Sequence, residues 1–236
     1  MSRHKPPTQK KIDFFEVLKE RTPQARRIVT NRPNGQAVAA EIPLKIRTMP
    51  VAWGLPLDEL MFSKWFVNFL SLPMMPWDIN LIAQSTYLPD ARNIIHRNFL
   101  EGCDAQWLVM LDSDVMPPPN FLEKLLSYKL PMVGGWYRRK GAENDPVVYD
   151  FQGMGENGRM VWTARKEPGK GLEKVDGAGA GCWLMHRKVA EAIGAEPYDM
   201  LRGGEDLDLC LKVTQAGFDI HIDWDIACAH AGVMYV

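Results

Sequence analysis

The sequence predicts an α/β fold, with a mostly parallel central sheet flanked by helices and a small additional hairpin region. Three observations predict it. Strand-like apolar runs alternate with helix-like periodicity through residues 44–137, the rhythm of successive β–α–β units. The run "QWLVMLDSD" ends in two carboxylates, Asp112 and Asp114, at the strand end where open α/β sheets place their ligands. The stretch "VVYDFQGMGENGRMVWTARK" breaks the rhythm with two β-like runs about Asn157-Gly158, a hairpin signal.

The elements follow in order. "KKIDFFEVLKER" reads as a short amphipathic helix, and "TNRPNGQ" as a turn-rich linker punctuated by Pro33 and Asn34-Gly35. "LKIRTMPVAWG" reads as the first strand of the sheet, closing on a loop. "LDELMFSKWFVNFLSL" has the wide apolar face of a helix, and "INLIAQS" is the second strand. "PDARNIIHRNFLEG" is a helix with Asp90 as its N-cap, Ile94, Ile95 and Phe99 inward, and Gly102 as its stop. After the third strand, "PPPNFLEKLLSYK" is a helix entered through proline, with Phe121, Leu122, Leu125 and Leu126 inward. "PMVGGWY" is the fourth strand. Beyond the hairpin, "DGAGAGCWLMHRKVAEAIG" is a glycine-rich lead into a strand and helix. "GGEDLDLCLKVTQAG" is a helix with Leu207, Cys210, Leu211 and Thr214 inward, and "FDIHIDWDIACAHAG" is the last strand and tail.

At 236 residues, 46% apolar and 24% charged, the chain is long enough for one large domain with a substantial core. The net charge of −1 conceals an asymmetry: residues 1–47 hold 11 Lys/Arg against 4 Asp/Glu, and the remainder hold 17 against 25. A basic N-terminal extension over residues 1–44, ahead of one domain over 45–236, suggests an anionic partner or simply a solvated arm. Cys103, Cys182, Cys210 and Cys228 form no CxxC pair, and the first residues lack the apolar core of a secretory signal. A reducing, cytoplasmic setting is therefore expected, with no transmembrane segment, because the most apolar stretch is interrupted by Lys64, Asn68 and Pro73.

The chemistry concentrates at three places. Asp-Ser-Asp at a strand end suits a hard divalent cation bridging a diphosphate, although such a motif also caps turns. Arg92 and Asn93 fall in the first turn of their helix, where backbone N–H groups favour anions and an arginine adds a bidentate donor; a surface arginine is the alternative. Glu205 and Asp206 open another helix, either as favourable first-turn acids or with one as a general base. The "DGAGAG" loop lacks phosphate-loop spacing, so its glycines leave room for a substrate over the sheet or for tight packing. His4, His96 and His186 read as peripheral and His221 as outward-facing, whereas His230 follows the final strand and can return to the ligand end.

Taken in order, these pieces resemble the nucleotide-sugar glycosyltransferases of the GT-A (Rossmann-like) fold, particularly small family-2-like enzymes of bacteria and phages. The matching residues are "MPVAWG", "ARN" at 91–93, "LDSD" at 111–114, "GGWY" at 134–137, "GAGCWLMHR" at 179–187, "GEDLDLCLK" at 204–212 and "AHAG" at 229–232. The resemblance covers roughly residues 45–236. It implies an NDP-sugar donor, most naturally a UDP-sugar, and Mn²⁺ or Mg²⁺. Asp112 and Ser113 would contact the donor, with Asp112 also in the metal shell, Asp114 a direct metal ligand and His230 the second. Arg92 would hold the nucleotide or diphosphate, and Val51 and Trp53 would flank the base. Asp206, or else Glu205, would be the catalytic base of an inverting hexosyl or pentosyl transfer.

Two other readings compete. A haloacid-dehalogenase-type phosphatase also ends a strand in Asp-x-Asp, but "GEDLD" has the wrong spacing for its later acidic motif. A nucleic-acid-binding module without catalysis would be led by the basic arm. The acceptor class stays open among sugars, proteins, lipid carriers and hydroxymethylated bases in phage DNA. The arm and the cluster Arg138, Arg139, Lys140 keep DNA among them.

Overall fold

The computed structural model describes residues 25–31, 37–43, 47–85, 87–141, 144–156, 158–200 and 204–232. The chain divides into two units, Met1–Thr48 and Met49–Val236. In the first unit, β1 (Ala25–Asn31) and β2 (Ala37–Pro43) pair antiparallel, Ala25 opposite Pro43 and Asn31 opposite Ala37. The turn-rich "TNRPNGQ" thus joins two paired strands instead of acting as a linker, and the expected helix over "KKIDFFEVLKER" lies outside the described residues.

The second unit is built on a seven-stranded sheet. Its strands are β3 (Ala52–Leu57), β4 (Ile79–Gln84), β5 (Trp107–Leu111), β7 (Met132–Trp136), β10 (Leu172–Val175), β12 (Cys182–His186) and β13 (Ile220–Ala227). Their order is β10-β13-β7-β12-β5-β3-β4. β4, β3, β5, β7 and β13 run one way, and β12 and β10 run against them. The expected mostly parallel α/β sheet is therefore present, and so is the expected hairpin. The hairpin comprises β8 (Val148–Met154) and β9 (Met160–Ala164), extended by β11 (Gly177–Ala178) into a separate antiparallel sheet.

The first sheet strand begins later than expected. The chain is extended from Ala52 to Leu57, because the apolar run around "VAWGLPL" is what the sheet buries. Asp78 fixes its start: the carboxylate accepts from Val51 N, Trp53 Nε1 and Met75 N at 2.9–3.0 Å. Pro56 is tolerated because β5 pairs with β3 only over Ala52–Gly54.

Helices α1 (Ser63–Ser71), α2 (Leu88–Gly102), α3 (Phe121–Ser127), α4 (Arg187–Ile193) and α5 (Glu205–Gln215) accompany the sheet. In α1 only Trp65 is fully buried; Phe66, Val67 and Leu70 of the expected apolar face are exposed. α2 starts two residues before Asp90, which sits in its first turn and does not cap it; the N-cap is Tyr87. Its buried face comprises Ala91, Arg92, Ile95, His96 and Phe99, so His96 is interior, not peripheral, and Ile94 points outward. The last turn of α2 is closed from outside: the Arg187 guanidinium donates to the carbonyls of Phe99, Leu100, Cys103 and Ala105. α5 presents Leu209, Cys210 and Val213 to the core, so of the expected stripe Cys210 is buried and Leu207, Leu211 and Thr214 are not. Positions 206, 209, 210 and 213 form one helical face, and a buried partner of Asp206 orients it.

Candidate active site at the carboxyl ends of β3, β4 and β5

The parallel strands β4, β3 and β5 end together, and a cleft of about 190 Å³ opens beyond them. Pro56–Asp58, Ser85, Leu88 and Ala91 line it, and Asp112, Ser113 and Asp114 form its far wall. The Asp-Ser-Asp turn is fixed by its backbone, with Asp112 N donating to Gly181 O and Val115 N to Asp112 O, each at 3.1 Å. The two acids then diverge.

Asp112 turns inward. Its Oδ2 accepts from Arg92 Nη2 at 2.7 Å, and Arg92 Nη1 binds Glu205 at 3.1 Å and Asp206 more closely still. The arginine is 1% exposed, and its guanidinium lies 5.5 Å from the Tyr198 ring centre. Tyr198 is held in turn by Asn93, whose amide exchanges two 2.9 Å bonds with the Tyr198 backbone. Arg92 and Asn93 therefore do not present an anion site at a helix start. One is a buried cation tying three acids together, and the other a clamp on a neighbouring loop.

Three carboxylates share this one guanidinium, and the electrostatics follow. Burial, opposed by Arg92 and reinforced by Asp114 and Glu205, raises the Asp112 carboxyl. Burial, reinforced by the charge of Asp206, raises Glu205. Asp206 is likewise raised, first by burial and then by Asp112, against the pull of Arg92. Burial opposes the charge on Arg92, but Asp112 and Asp206 more than offset it and hold it protonated. Two atoms of the cluster lack a partner, Arg92 Nε and Asp112 Oδ1; the second is a buried acceptor suited to a ligand hydroxyl or cation.

Asp114 turns outward. β14 (Ala229–His230) pairs antiparallel with β6 (Val115–Met116), and Ala231 N donates to Asp114 O at 2.8 Å. This short pairing brings His230 back to the Asp-Ser-Asp turn, with Nε2 3.5 Å from Asp114 Oδ2. His230 Nδ1 lies 2.8 Å from the Arg138 carbonyl, which can only accept, so Nδ1 carries the hydrogen. In the neutral ring Nε2 then carries a lone pair, and in the charged ring it donates toward the Asp114 carboxylate. The Lys140 ammonium lies 2.5 Å from the same Asp114 oxygen. Burial raises the Asp114 carboxyl, but its bonds to His230 and Lys140 outweigh this and hold it below the usual range. Among the described residues no group of three or more His, Cys, Asp or Glu forms a complete metal cage.

The glycines of "DGAGAG" serve packing. A Cβ at Gly179 or Gly181 would lie 2.3 or 2.9 Å from the Tyr137 hydroxyl, which accepts from Gly181 N at 3.1 Å. Tyr137 also meets the His230 ring edge-on at 4.9 Å, so it braces both the glycine loop and the histidine. Sequence reasoning missed this role, although "GGWY" contains it. Gly204 has φ +130° and ψ 142° ahead of α5, a conformation only glycine adopts easily.

Val51 and Trp53 require a correction. Both are fully buried, and Trp53 packs edge-on against Phe69 and Phe121, so neither flanks the cleft. The strand's later start moves that position to Pro56, Leu57 and Asp58. Beside the cleft, a groove of about 610 Å³ runs past Trp136, Arg138, Arg139 and Lys140 to His230.

No family model matches the chain, and no curated protein matches it. Solved structures do. "A197 from STIV" superimposes with a TM-score of 0.55 at 19% identity, over 80% of this chain and 97% of the other. "GalNAc-T7 with UDP, GalNAc and Mn2+" superimposes with a TM-score of 0.51 at 14% identity, over 77% of this chain. The chain spans 44% of the length of that second structure. At such identities the likeness establishes the fold, which is GT-A-like.

Proposed function

We propose that the chain is a metal-dependent glycosyltransferase, moving a sugar from an NDP-sugar to an acceptor hydroxyl. The observation that carries the reading is the approach of His230 Nε2 to Asp114, an acid of the strand-end cleft that also holds Asp112 with its Oδ1 unbonded. The fold likeness supports it, and one of the similar structures was solved with UDP, GalNAc and Mn²⁺. A UDP-sugar is accordingly the first donor to test.

Asp114 and His230 would hold Mn²⁺ or Mg²⁺, which when bound supplies Lewis-acid stabilisation of charge on the departing diphosphate. Asp112 and Ser113 would meet the ribose or the metal shell, and Pro56–Asp58 would flank the base. Asp206 is the base that takes the acceptor's proton, with Glu205 as its neighbour, in an inverting hexosyl or pentosyl transfer. Arg92 is sealed from the cleft, so it acts through these acids by fixing where they point.

The groove past Arg138 and Lys140 suits a phosphate-bearing acceptor, DNA among them, because cations there lie beside the proposed metal ligands. Among the described residues no helix is long and apolar enough to cross a membrane, and the four free cysteines fit a cytoplasmic setting.

A panel of NDP-sugars, scored for released nucleotide with Mn²⁺ and with excess EDTA, tests the reading. Metal-dependent release from at least one donor is expected, followed by identification of the acceptor by mass spectrometry. Release undiminished in EDTA, or none from any donor, would contradict it.

A further inference from the structure

We propose that Lys140 is a built-in placeholder for the divalent cation: its ammonium neutralises Asp114 in the metal-free protein, and the metal binds by displacing it. The proposal rests on the reading of Asp114 and His230 as metal ligands. Its own observation is that one oxygen, Asp114 Oδ2, receives the ammonium at 2.5 Å and faces His230 Nε2 at 3.5 Å. An ammonium and a divalent ion cannot share that oxygen without strong like-charge repulsion, so the two states exclude one another.

The side chain is built to leave. Lys140 is 45% exposed and is followed by Gly141 at φ +111°. Its stem lies against Gly232, where a Cβ would sit 3.7–4.0 Å from three of its carbons. The ammonium has a second hold 5.9 Å from the Phe62 ring centre, and the adjoining groove offers it solvent. An exposed Lys–carboxylate pair is weak, worth about 0–1 kcal/mol, so a divalent ion can displace it. The contrast with Arg92 is chemical: a buried planar fork locks its acids, whereas a flexible point charge on an open acid exchanges.

Displacement lowers the apparent metal affinity by the fraction of protein in which Asp114 is already occupied. The test uses the full chain with Mn²⁺ alone as the probe, titrated by electron paramagnetic resonance without nucleotide. Lys140→Gln should bind Mn²⁺ about threefold to sixfold more tightly than wild type, as expected if Lys140 occupies the site about two-thirds to five-sixths of the time. The same variant should melt lower than wild type without metal and show a larger rise when Mn²⁺ is added. Arg138→Gln removes a nearby charge that does not touch Asp114, and its Mn²⁺ affinity should stay at the wild-type value. Equal or weaker binding by Lys140→Gln overturns the proposal, as does an equal gain in Arg138→Gln, which would reduce the effect to bulk charge. Asp114→Asn separates the two levels. If it binds Mn²⁺ as wild type does, the metal reading falls and the placeholder with it. If binding needs Asp114 but ignores Lys140→Gln, the placeholder alone falls.

Discussion

Asp112 and Asp114 stand two positions apart on one turn, yet their surroundings are opposites. Around Asp112 a single buried cation, Arg92, is ringed by three acids; around Asp114 a single acid is approached by two basic side chains, Lys140 and His230. The first arrangement is closed, with its cation 1% exposed and bound through two nitrogens. The second is open and its partners come from a turn and a short tail pairing. A closed cluster fixes geometry, whereas an open one can exchange a cation. The strand end therefore carries two environments, with Asp112 tied through Arg92 to α5 and Asp114 on the open side.

Breaking the closed side should have the largest effect. Arg92→Met leaves three acids without a counter-ion and should cost about 3–5 kcal/mol of stability, read by urea denaturation. Arg92→Lys should recover little of it, because a point charge cannot reproduce contacts made through two guanidinium nitrogens. A near-wild-type midpoint in Arg92→Met would mean the cluster is not an anchor.

Next in size is the base. Asp206→Asn keeps an acceptor for Arg92, so the fold should survive, while the transfer rate falls by about 10²–10⁴-fold with donor affinity largely intact. Near-normal transfer would move the role to Glu205 or imply a retaining mechanism.

A third measurement sharpens the comparison by separating the cluster from another buried group. His96 is fully buried, and burial pushes its pKa down from 6.5 to about 4. The unfolded chain binds that proton first, so stability should fall as pH drops from 6.5 to about 4, by about 3 kcal/mol. The raised carboxyls of Asp112, Glu205 and Asp206 act in the opposite sense. The folded state takes up their protons first, so stability rises as pH falls through their folded values toward the ordinary 3.8 and 4.5. In metal-free His96→Leu the acid loss should shrink by about 3 kcal/mol, leaving the contributions of His186 and His221, whose pKa values burial also lowers. An unchanged acid loss would place its origin outside His96.

The closed and open sides also differ in how far the sequence betrays them. The α/β rhythm, the hairpin and the Asp-Ser-Asp turn were readable because apolar periodicity and strand-end acids are local signals. The return of His230 to the strand end was readable for the same reason, since a histidine between small residues follows the last strand. Arg92 was misjudged because "ARN" near a helix start looks like an anion site; only the fold shows Glu205 and Asp206, more than a hundred residues away, reaching it. The stripe of α5 was misplaced for that reason too, as its face is set by Asp206's partner and not by apolar spacing alone. Val51 and Trp53 were misplaced by a strand start that depends on Asp78, a remote anchor with no local signature. Tyr137 and Lys140 lay inside noticed stretches, but their partners are tertiary.

The central claim is that Asp114 and His230 together hold a divalent cation at the end of the cleft. Titration of Mn²⁺ in the presence of UDP, in wild type and in Asp114→Asn and His230→Ala, tests it most directly. Both substitutions should weaken Mn²⁺ binding by about 10–100-fold, and His230→Ala should leave the melting temperature of the metal-free protein unchanged. Wild-type Mn²⁺ affinity in His230→Ala, or a large loss of metal-free stability in its place, would make the histidine a packing residue and contradict the account.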